Sequence, residues 1–302
     1  EQDRMNDELQ IKQEVRSFYD RIGWHIENDG LYQNARYEDL RPVSQEYIHK
    51  CHLRVNRFIT RQGNLLLDLG SGPVQYPEYL TYSENYQHRV CADISIVALI
   101  EARKRLGEQG LYVLLDAAHL PFSDNSFEGE VSLHTFHHLP IEDQKKAYRE
   151  VYRVLKPGHS AAVVNAWPNP PLAKFTERLI RLFEKLARLR HLGHKKDTQV
   201  TKKDVPTTNP KPAIKEQQKS SNPTGTFIQR INPAWLRQQL PEITIEINTW
   251  RSVNVRFLRA VIHRRLGGRY WLRFLYWLEE RFPHYFGEKG QYPLIVLRKP
   301  KI

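Results

Sequence analysis

Two different hydrophobic periods run along this 302-residue chain, and they divide it. Residues 5–24 place Leu9, Ile11, Val15, Phe18 and Tyr19 roughly on one face, the three-and-four spacing of an amphipathic helix. A second helical stretch is predicted over 44–60 (SQEYIHKCHLRVNRFIT). The period then changes. Short apolar runs, NLLLDL, RVCADIS, LYVLLD, FEGEVSLHTF and SAAVV, alternate with helical stretches such as VALIEARKRLG and DQKKAYREVYRVLKPG. Apolar runs of about 4 to 8 residues separated by helices indicate a parallel sheet covered on both faces, here over residues 62–167.

Beyond residue 167 the pattern becomes helical again and strongly cationic. Leu172, Phe175, Leu179, Leu182, Phe183, Leu186 and Leu189 recur at three- and four-residue steps, with Lys174, Arg178, Arg181, Lys185 and Arg188 mostly between them. Residues 195–225 are Lys, Pro, Thr, Ser and Asn with almost no apolar residue, the composition of a linker or mobile loop. From Ile228 onward, NPAWLRQQL reads as a capped helix, ITIEINTW as a strand, RYWLRFLYWLEERF as an aromatic helix and YPLIVLRKP as a last strand. The expected organisation is a helical lid over 1–61, an α/β core over 62–167, a basic amphipathic helix and flexible linker over 168–227, and a part over 228–302 that completes the sheet and the substrate pocket.

Charge sharpens this division. Residues 1–150 carry 17 Lys and Arg against 24 Asp and Glu, whereas the remainder carries 29 against 10. An acidic half joined to a basic half suggests two jobs, the basic one facing an anionic surface. No apolar run reaches the ~18–20 residues of a membrane-spanning helix, and the polar start EQDRMNDELQ lacks the apolar stretch of a signal peptide. Two cysteines, Cys51 and Cys91, are too few for a disulfide framework, so the expected setting is the reducing cytoplasm.

The richest stretch is Asp68-Leu69-Gly70-Ser71-Gly72. An apolar strand ending in Gly-x-Gly lets backbone approach a ligand at the carboxyl edge of a parallel sheet. Asp93 ends the next apolar run and Asp116 the third, so three neighbouring strand ends carry aspartates. Such acids suit a ligand with an amino group, a ribose and an adenine amine. A dinucleotide fingerprint would need a third glycine where Gln75 stands.

LLLDLGSGPVQYPEYL, CADIS, LLDAAHLPFSDNSFEGEVSLHTFHHLP and RVLKPGHSAAVV, in this order over residues 62–167, resemble a class I S-adenosylmethionine-dependent methyltransferase of the small-molecule, ubiquinone-biosynthesis-like branch. The resemblance implies a Rossmann-like, doubly wound, mostly parallel sheet with an N-terminal helical lid and a basic C-terminal extension. It further implies S-adenosyl-L-methionine as cofactor, with Asp68 near the methionine amino group and Gly70 and Gly72 allowing close approach. Asp93 would bind the ribose with Ile94 against adenine, and Asp116 would accept from the adenine amine beside Ala117. The turn departs from the family pattern around Val74 and Gln75.

Three histidines crowd SLHTFHHLP, where the fourth strand ends. Metal ligands would converge from several elements or from one helix face, and these straddle a strand-to-loop transition, so no metal site is expected. For a hydroxyl acceptor a nearby imidazole could serve as base; His134 is the first candidate and His137 the second, with His138 orienting the loop. Tyr19, Trp24, Tyr32 and Tyr76 are candidates for a water-excluding lid and pocket wall. The aromatics of the last helices, Trp271, Phe274, Tyr276, Trp277, Phe282, Tyr285 and Phe286, are expected to pack onto the sheet and leave the arginines between them solvated.

The expected activity is methyl transfer to a small, hydrophobic or membrane-associated acceptor, with contact to an anionic membrane surface through 172–192. Two alternatives stay open: an RNA or protein methyltransferase using the basic half, and a cofactor-binding adaptor without activity. Nucleic acid ranks lower as a partner because the N-terminal half is acidic and no RNA-binding module or NPPY motif appears.

Overall fold

The structure, a computed structural model, describes residues 2–28, 30–194 and 226–301; the expected linker over 195–225 lies outside them. Seven strands form one sheet in the order β3-β2-β1-β4-β5-β7-β6. They are β1 (Gly63–Leu69), β2 (Tyr86–Asp93), β3 (Gly110–Leu114), β4 (Phe127–Leu133), β5 (Leu155–Val164), β6 (Thr244–Arg251) and β7 (Tyr292–Arg298). The first five pair in parallel, and β7 runs antiparallel to both β5 and β6. This is the Rossmann-like doubly wound arrangement, and its strand order reverses between β1 and β4. Ligands bind at such a switch point because the loops leaving the two neighbouring strands diverge to opposite faces.

Helices α1 (Gln2–Phe18), α2 (Gln45–Leu53), α3 (Pro77–Leu80), α4 (Ile96–Leu106) and α5 (Ile141–Val154) precede or interleave with the parallel strands. They are followed by α6 (Pro171–His194), α7 (Pro233–Gln239), α8 (Val255–Val261), α9 (Gly268–Arg281) and α10 (Pro283–Lys289). The stretch predicted as one helix over 5–24 leaves the α form at Phe18 and finishes as a π-helical turn, Tyr19–Gly23. Likewise 44–60 stays α-helical only to Leu53 and tightens to a 3₁₀ turn at Arg54–Arg57.

Alternation in the strands sorts the core into two layers. Leu66, Cys91, Val131, Ala162 and Val296 face Tyr47 and Cys51 of α2 and Leu258 of α8. Leu67, Val90, Ala161, Val163 and Ile295 face Ala147 and Val151 of α5 and Leu236 of α7. Both faces are covered, which is why these strands read as continuous apolar runs. Among the aromatics expected to pack onto the sheet, Trp271, Phe274, Trp277, Phe282 and Tyr285 are instead exposed. The inward positions of α9 are Leu272 and Glu279, and the aromatics fall on the opposite arc.

Candidate active site

A cavity of about 330 Å³ opens over the carboxyl ends of β1, β2 and β4, within the usual range for small-molecule sites. Asp68, Gly70, Gly72, Asp93, Ile94, Asp116, Ala117, His134 and His137 all line it, as do Tyr19, Trp24 and Tyr76. Tyr32 does not: it is buried one layer back, edge-on to Trp24, with its hydroxyl donating to Glu101 of α4.

The floor is the turn after β1. Gly70 (φ +71°) donates its N–H to the Ala92 carbonyl of β2 at 2.7 Å. A Cβ at Gly70 would fall 2.2 Å from Thr135 Oγ1, and one at Gly72 (φ +54°) 3.0 Å from the Trp24 ring. The two glycines thus admit the β4 loop and the lid, and both use left-handed backbone that side chains disfavour. Left-handed backbone recurs at Val74 (φ +52°), where the sequence departs from the family pattern.

Each aspartate has its own electrostatics. Asp68 is buried against Arg89 of β2, whose Nε lies 3.0 Å and Nη2 2.5 Å from the same carboxylate oxygen. Burial raises its pKa against the pull of Arg89. Asp93 accepts the Gly72 N–H on one oxygen and the Ser95 N–H on the other, each at 2.9 Å. No cation pairs with it among the described residues, and burial pushes its pKa up to about 6. Asp116 accepts the Ala118 N–H on Oδ1 and takes Lys12 of α1 on Oδ2 at 2.6 Å. Burial alone would raise its pKa; Lys12 and the Ala118 amide outweigh that and hold it low.

The N-terminal segment, expected as a lid, is pinned at several points. Lys12 also reaches Asp143 of α5 at 2.5 Å. Ser95 donates to Asp20 at 2.6 Å, and Tyr19 stacks on Trp24 with ring centroids 5.2 Å apart. The Tyr19 hydroxyl lies 2.8 Å from His138 Nε2, and the opposite nitrogen, Nδ1, lies 2.8 Å from the Phe227 carbonyl. A carbonyl can only accept, so Nδ1 carries the proton and Nε2 accepts from Tyr19. His138 therefore fastens the lid to the segment that re-enters at Thr226.

The other two histidines point elsewhere. His137 Nδ1 donates to Asn165 Oδ1 at 3.1 Å. His134 takes left-handed backbone (φ +59°), which sets its ring 4.8 Å from Trp250 and 5.5 Å from Tyr292. Burial lowers the pKa of His134 to about 3, with Arg251 adding to it, and that of His137 well below the ordinary value. Both expected bases are neutral imidazoles, and neither titrates near pH 7.

Several residues of the site were not foreseen from the sequence: Lys12, Glu38, Trp250, Arg251 and Tyr292 in the wall, and Arg89 behind Asp68. Arg251, at the end of β6, is almost fully buried; its Nη1 donates to Glu38 Oε1 at 2.5 Å. Its guanidinium lies 4.9 Å from the Trp250 ring and 4.8 Å from the Tyr292 ring, and its Nε–H is buried without a partner among the described residues. A lone arginine closing an apolar strand (INTWRS), or one inside it (QHRVCAD), was the available signal.

Comparison with known proteins agrees with this geometry. A family model described as a methyltransferase domain matches residues 67–163. The ubiquinone/menaquinone biosynthesis C-methyltransferase UbiE of Roseobacter denitrificans is 28% identical over 149 residues, 46% of this chain and 59% of that protein. The UbiE of Desulfotalea psychrophila is 35% identical over 106 residues, 34% of this chain and 42% of its own. Residues 67–163 form a class I S-adenosylmethionine-dependent methyltransferase domain. The chain spans about half the length of the curated relatives it matches. The same fold occurs in Haemonchus contortus phosphoethanolamine N-methyltransferase 2 in complex with S-adenosyl-L-methionine, with a TM-score of 0.52, 16% identity, and coverage of 95% of this chain and 60% of that one.

The cofactor of this methyltransferase domain is S-adenosyl-L-methionine, and the residues present suit it. Asp93 keeps acceptor capacity, since its two carboxylate oxygens offer about four lone-pair sites and the backbone amides of Gly72, Ser95 and Ile94 do not fill them. A pair of ribose hydroxyls complements that. Asp68, Asp116 and Glu38 are each paired with a cation, Arg89, Lys12 and Arg251, which leaves Asp93 as the lining carboxylate without a cation among the described residues.

Proposed function

We propose that the protein transfers a methyl group from S-adenosyl-L-methionine to a small acceptor, hydrophobic or membrane-associated, that carries a polar group. The observation behind this is the aromatic part of the cavity lining, Tyr76, Trp250 and Tyr292, with His134 and the buried Arg251–Glu38 pair beside them. A cavity covered by a pinned lid excludes a nucleic-acid strand or a folded protein more readily than a compact molecule.

When bound, the cofactor supplies an already activated methyl on a sulfonium, so the enzyme's task is alignment and exclusion of water. In our reading Asp93 holds the ribose, and Ile94 and Ala117 flank the adenine. Asp116, already shared with Lys12, keeps lone pairs for the adenine amine. The Arg251 Nε–H, which pays a desolvation cost of roughly 1–3 kcal/mol while unpartnered, donates to an oxygen of the acceptor. His134 accepts a hydrogen bond from the acceptor's reacting group and orients it, while His137, committed to Asn165, keeps that loop in place. Tyr19 and Trp24 close the site against water. α6 leaves Phe175, Leu182 and Leu186 exposed among Lys174, Arg178, Arg181 and Lys185, in keeping with a membrane-associated acceptor.

The test is a transfer assay with methyl-labelled S-adenosyl-L-methionine and an extract of the source cells. Label is expected in organic-soluble small molecules, with transfer at subsaturating cofactor falling roughly tenfold to hundredfold in Asp93→Ala. Label in RNA or protein would replace the acceptor class, and cofactor binding without transfer would favour an adaptor.

A further inference from the structure

The outer face of α9 is exposed among the described residues. Tyr270 is 75% exposed, Trp271 63%, Phe274 51% and Trp277 57%. At 3.6 residues per turn these four fall within about 120° of arc, so they form one continuous aromatic ridge. Leu266, just before the helix, extends it, as do Phe282 and Tyr285 just after. Half-exposed aromatics in a row are costly in water: a soluble surface carries scattered apolar residues, and a contiguous patch marks an interaction site.

The charges around the ridge indicate what covers it. Arg264, Arg265, Arg269 and Arg281 are all exposed, and none forms an ion pair among the described residues. Arg273 is ion-paired with Glu46 at 2.9 Å, and Arg269 makes a long hydrogen bond to the Pro42 carbonyl at 3.4 Å. The acids of α9 are themselves engaged: Glu279 is buried with Arg54, and Glu280 pairs with Arg54 and Arg57. A second copy of this face would set unpaired arginines against unpaired arginines. A convex helical ridge also offers no groove to hold a nucleic-acid strand. Aromatic rings with free cations at their margins match the bilayer–water boundary, where rings sit at headgroup level and guanidinium groups meet lipid phosphates.

We infer that α9, with its flanking turns, is a docking surface for an anionic phospholipid bilayer. The ridge inserts its four aromatics to headgroup depth while the arginines hold the phosphates. No described helix is long and apolar enough to cross a membrane, so the attachment is peripheral. This surface is separate from the cavity and does not depend on which acceptor is methylated.

The full chain would be sedimented with phosphatidylcholine vesicles containing about a quarter phosphatidylglycerol, and with phosphatidylcholine alone. Partition is expected onto the mixed vesicles and should weaken with salt. Trp271→Gln/Trp277→Gln and Arg265→Gln/Arg281→Gln should each lower it by on the order of tenfold or more. Trp271→Phe/Trp277→Phe should keep partition while abolishing the tryptophan quenching that brominated lipids cause in the parent at this ridge. All four positions altered are exposed, and unchanged far-ultraviolet circular dichroism confirms the fold. The inference is overturned by no partition at low salt, by partition indifferent to these variants (which would assign contact to 172–192), or by a concentration-dependent dimer that Trp271→Gln/Trp277→Gln dissolves.

Discussion

Asp93 offers the most exacting test of the site's electrostatics. Its carboxyl is buried without a countercharge among the described residues, and burial raises its pKa to about 6 where an exposed aspartate would titrate near 3.8. The folded pKa is raised, so the unfolded chain loses this proton first as pH increases. Stability attributable to Asp93 is therefore full below pH 3.8, declines as pH rises toward 6, and is flat beyond. A difference of about two units corresponds to roughly 3 kcal/mol. Asp93→Asn removes the titration and surrenders one backbone bond, because the amide NH2 that replaces one carboxylate oxygen cannot accept the N–H of Gly72 or Ser95 that faces it. Losing that bond costs about 1–3 kcal/mol, so the variant's stability at pH 7 should match the parent's within about 2 kcal/mol.

The pH slope distinguishes the two chains more sharply than the absolute value. Urea unfolding from pH 4 to 7 should show the parent losing roughly 3 kcal/mol relative to Asp93→Asn. Calorimetry with S-adenosylhomocysteine should show the complementary behaviour. Ribose hydroxyls favour the ionised carboxylate, so affinity in the parent should weaken about tenfold per unit below pH 6, while the variant binds weakly at every pH. Parallel stability profiles in the two chains would refute the assignment of an unpaired, desolvated carboxylate.

Other perturbations probe the walls. At saturating cofactor, kcat should show no break near pH 6.5 from His134, whose ring burial holds neutral down to about pH 3; a break near 6.5 that disappears in His134→Gln would contradict this. Arg251→Lys keeps a charge for Glu38 but loses the Nε–H, so KM for the acceptor should rise roughly tenfold while S-adenosylhomocysteine affinity stays within about twofold. Glu279→Gln removes one of the two carboxylates that pair with Arg54, leaving Glu280, and should cost about 1–3 kcal/mol in urea unfolding. Tyr19→Phe orphans His138 Nε2 and should destabilise the lid by about 1–3 kcal/mol, seen as faster hydrogen exchange over 10–25.

The parts of the site legible in the sequence were those whose chemistry is local. Asp68, Gly70, Gly72, Asp93 and Asp116 stand at strand ends, and a strand end is visible wherever an apolar run breaks. The two terminal strands were readable for the same reason. Pairings across long separations were not: Lys12 meets Asp116 over 104 residues and Arg251 meets Glu38 over 213. No spacing rule links such partners, because their meeting depends on how the flanks fold back over the sheet edge. The α9 aromatics misled for a related reason. Aromatic content predicts burial on average, yet which arc of a helix turns inward is decided by a few positions, here Leu272 and the buried Glu279 with its Arg54.

This contrast bears on how the two halves of the cavity can vary. The wall assigned to the cofactor is built from consecutive strand ends and their turns, so any change there disturbs the sheet edge itself. The wall around His134 draws Glu38 from the segment before α2, Trp250 and Arg251 from β6 and Tyr292 from β7, all outside residues 67–163. These side chains hold one another: Arg251 between two rings, His52 stacked on Trp250 at 5.4 Å, and Arg54 donating to the Trp250 carbonyl. A replacement there alters shape and charge facing the acceptor without touching the glycine turn. Acceptor choice can thus change through the flanks while cofactor binding stays with the core.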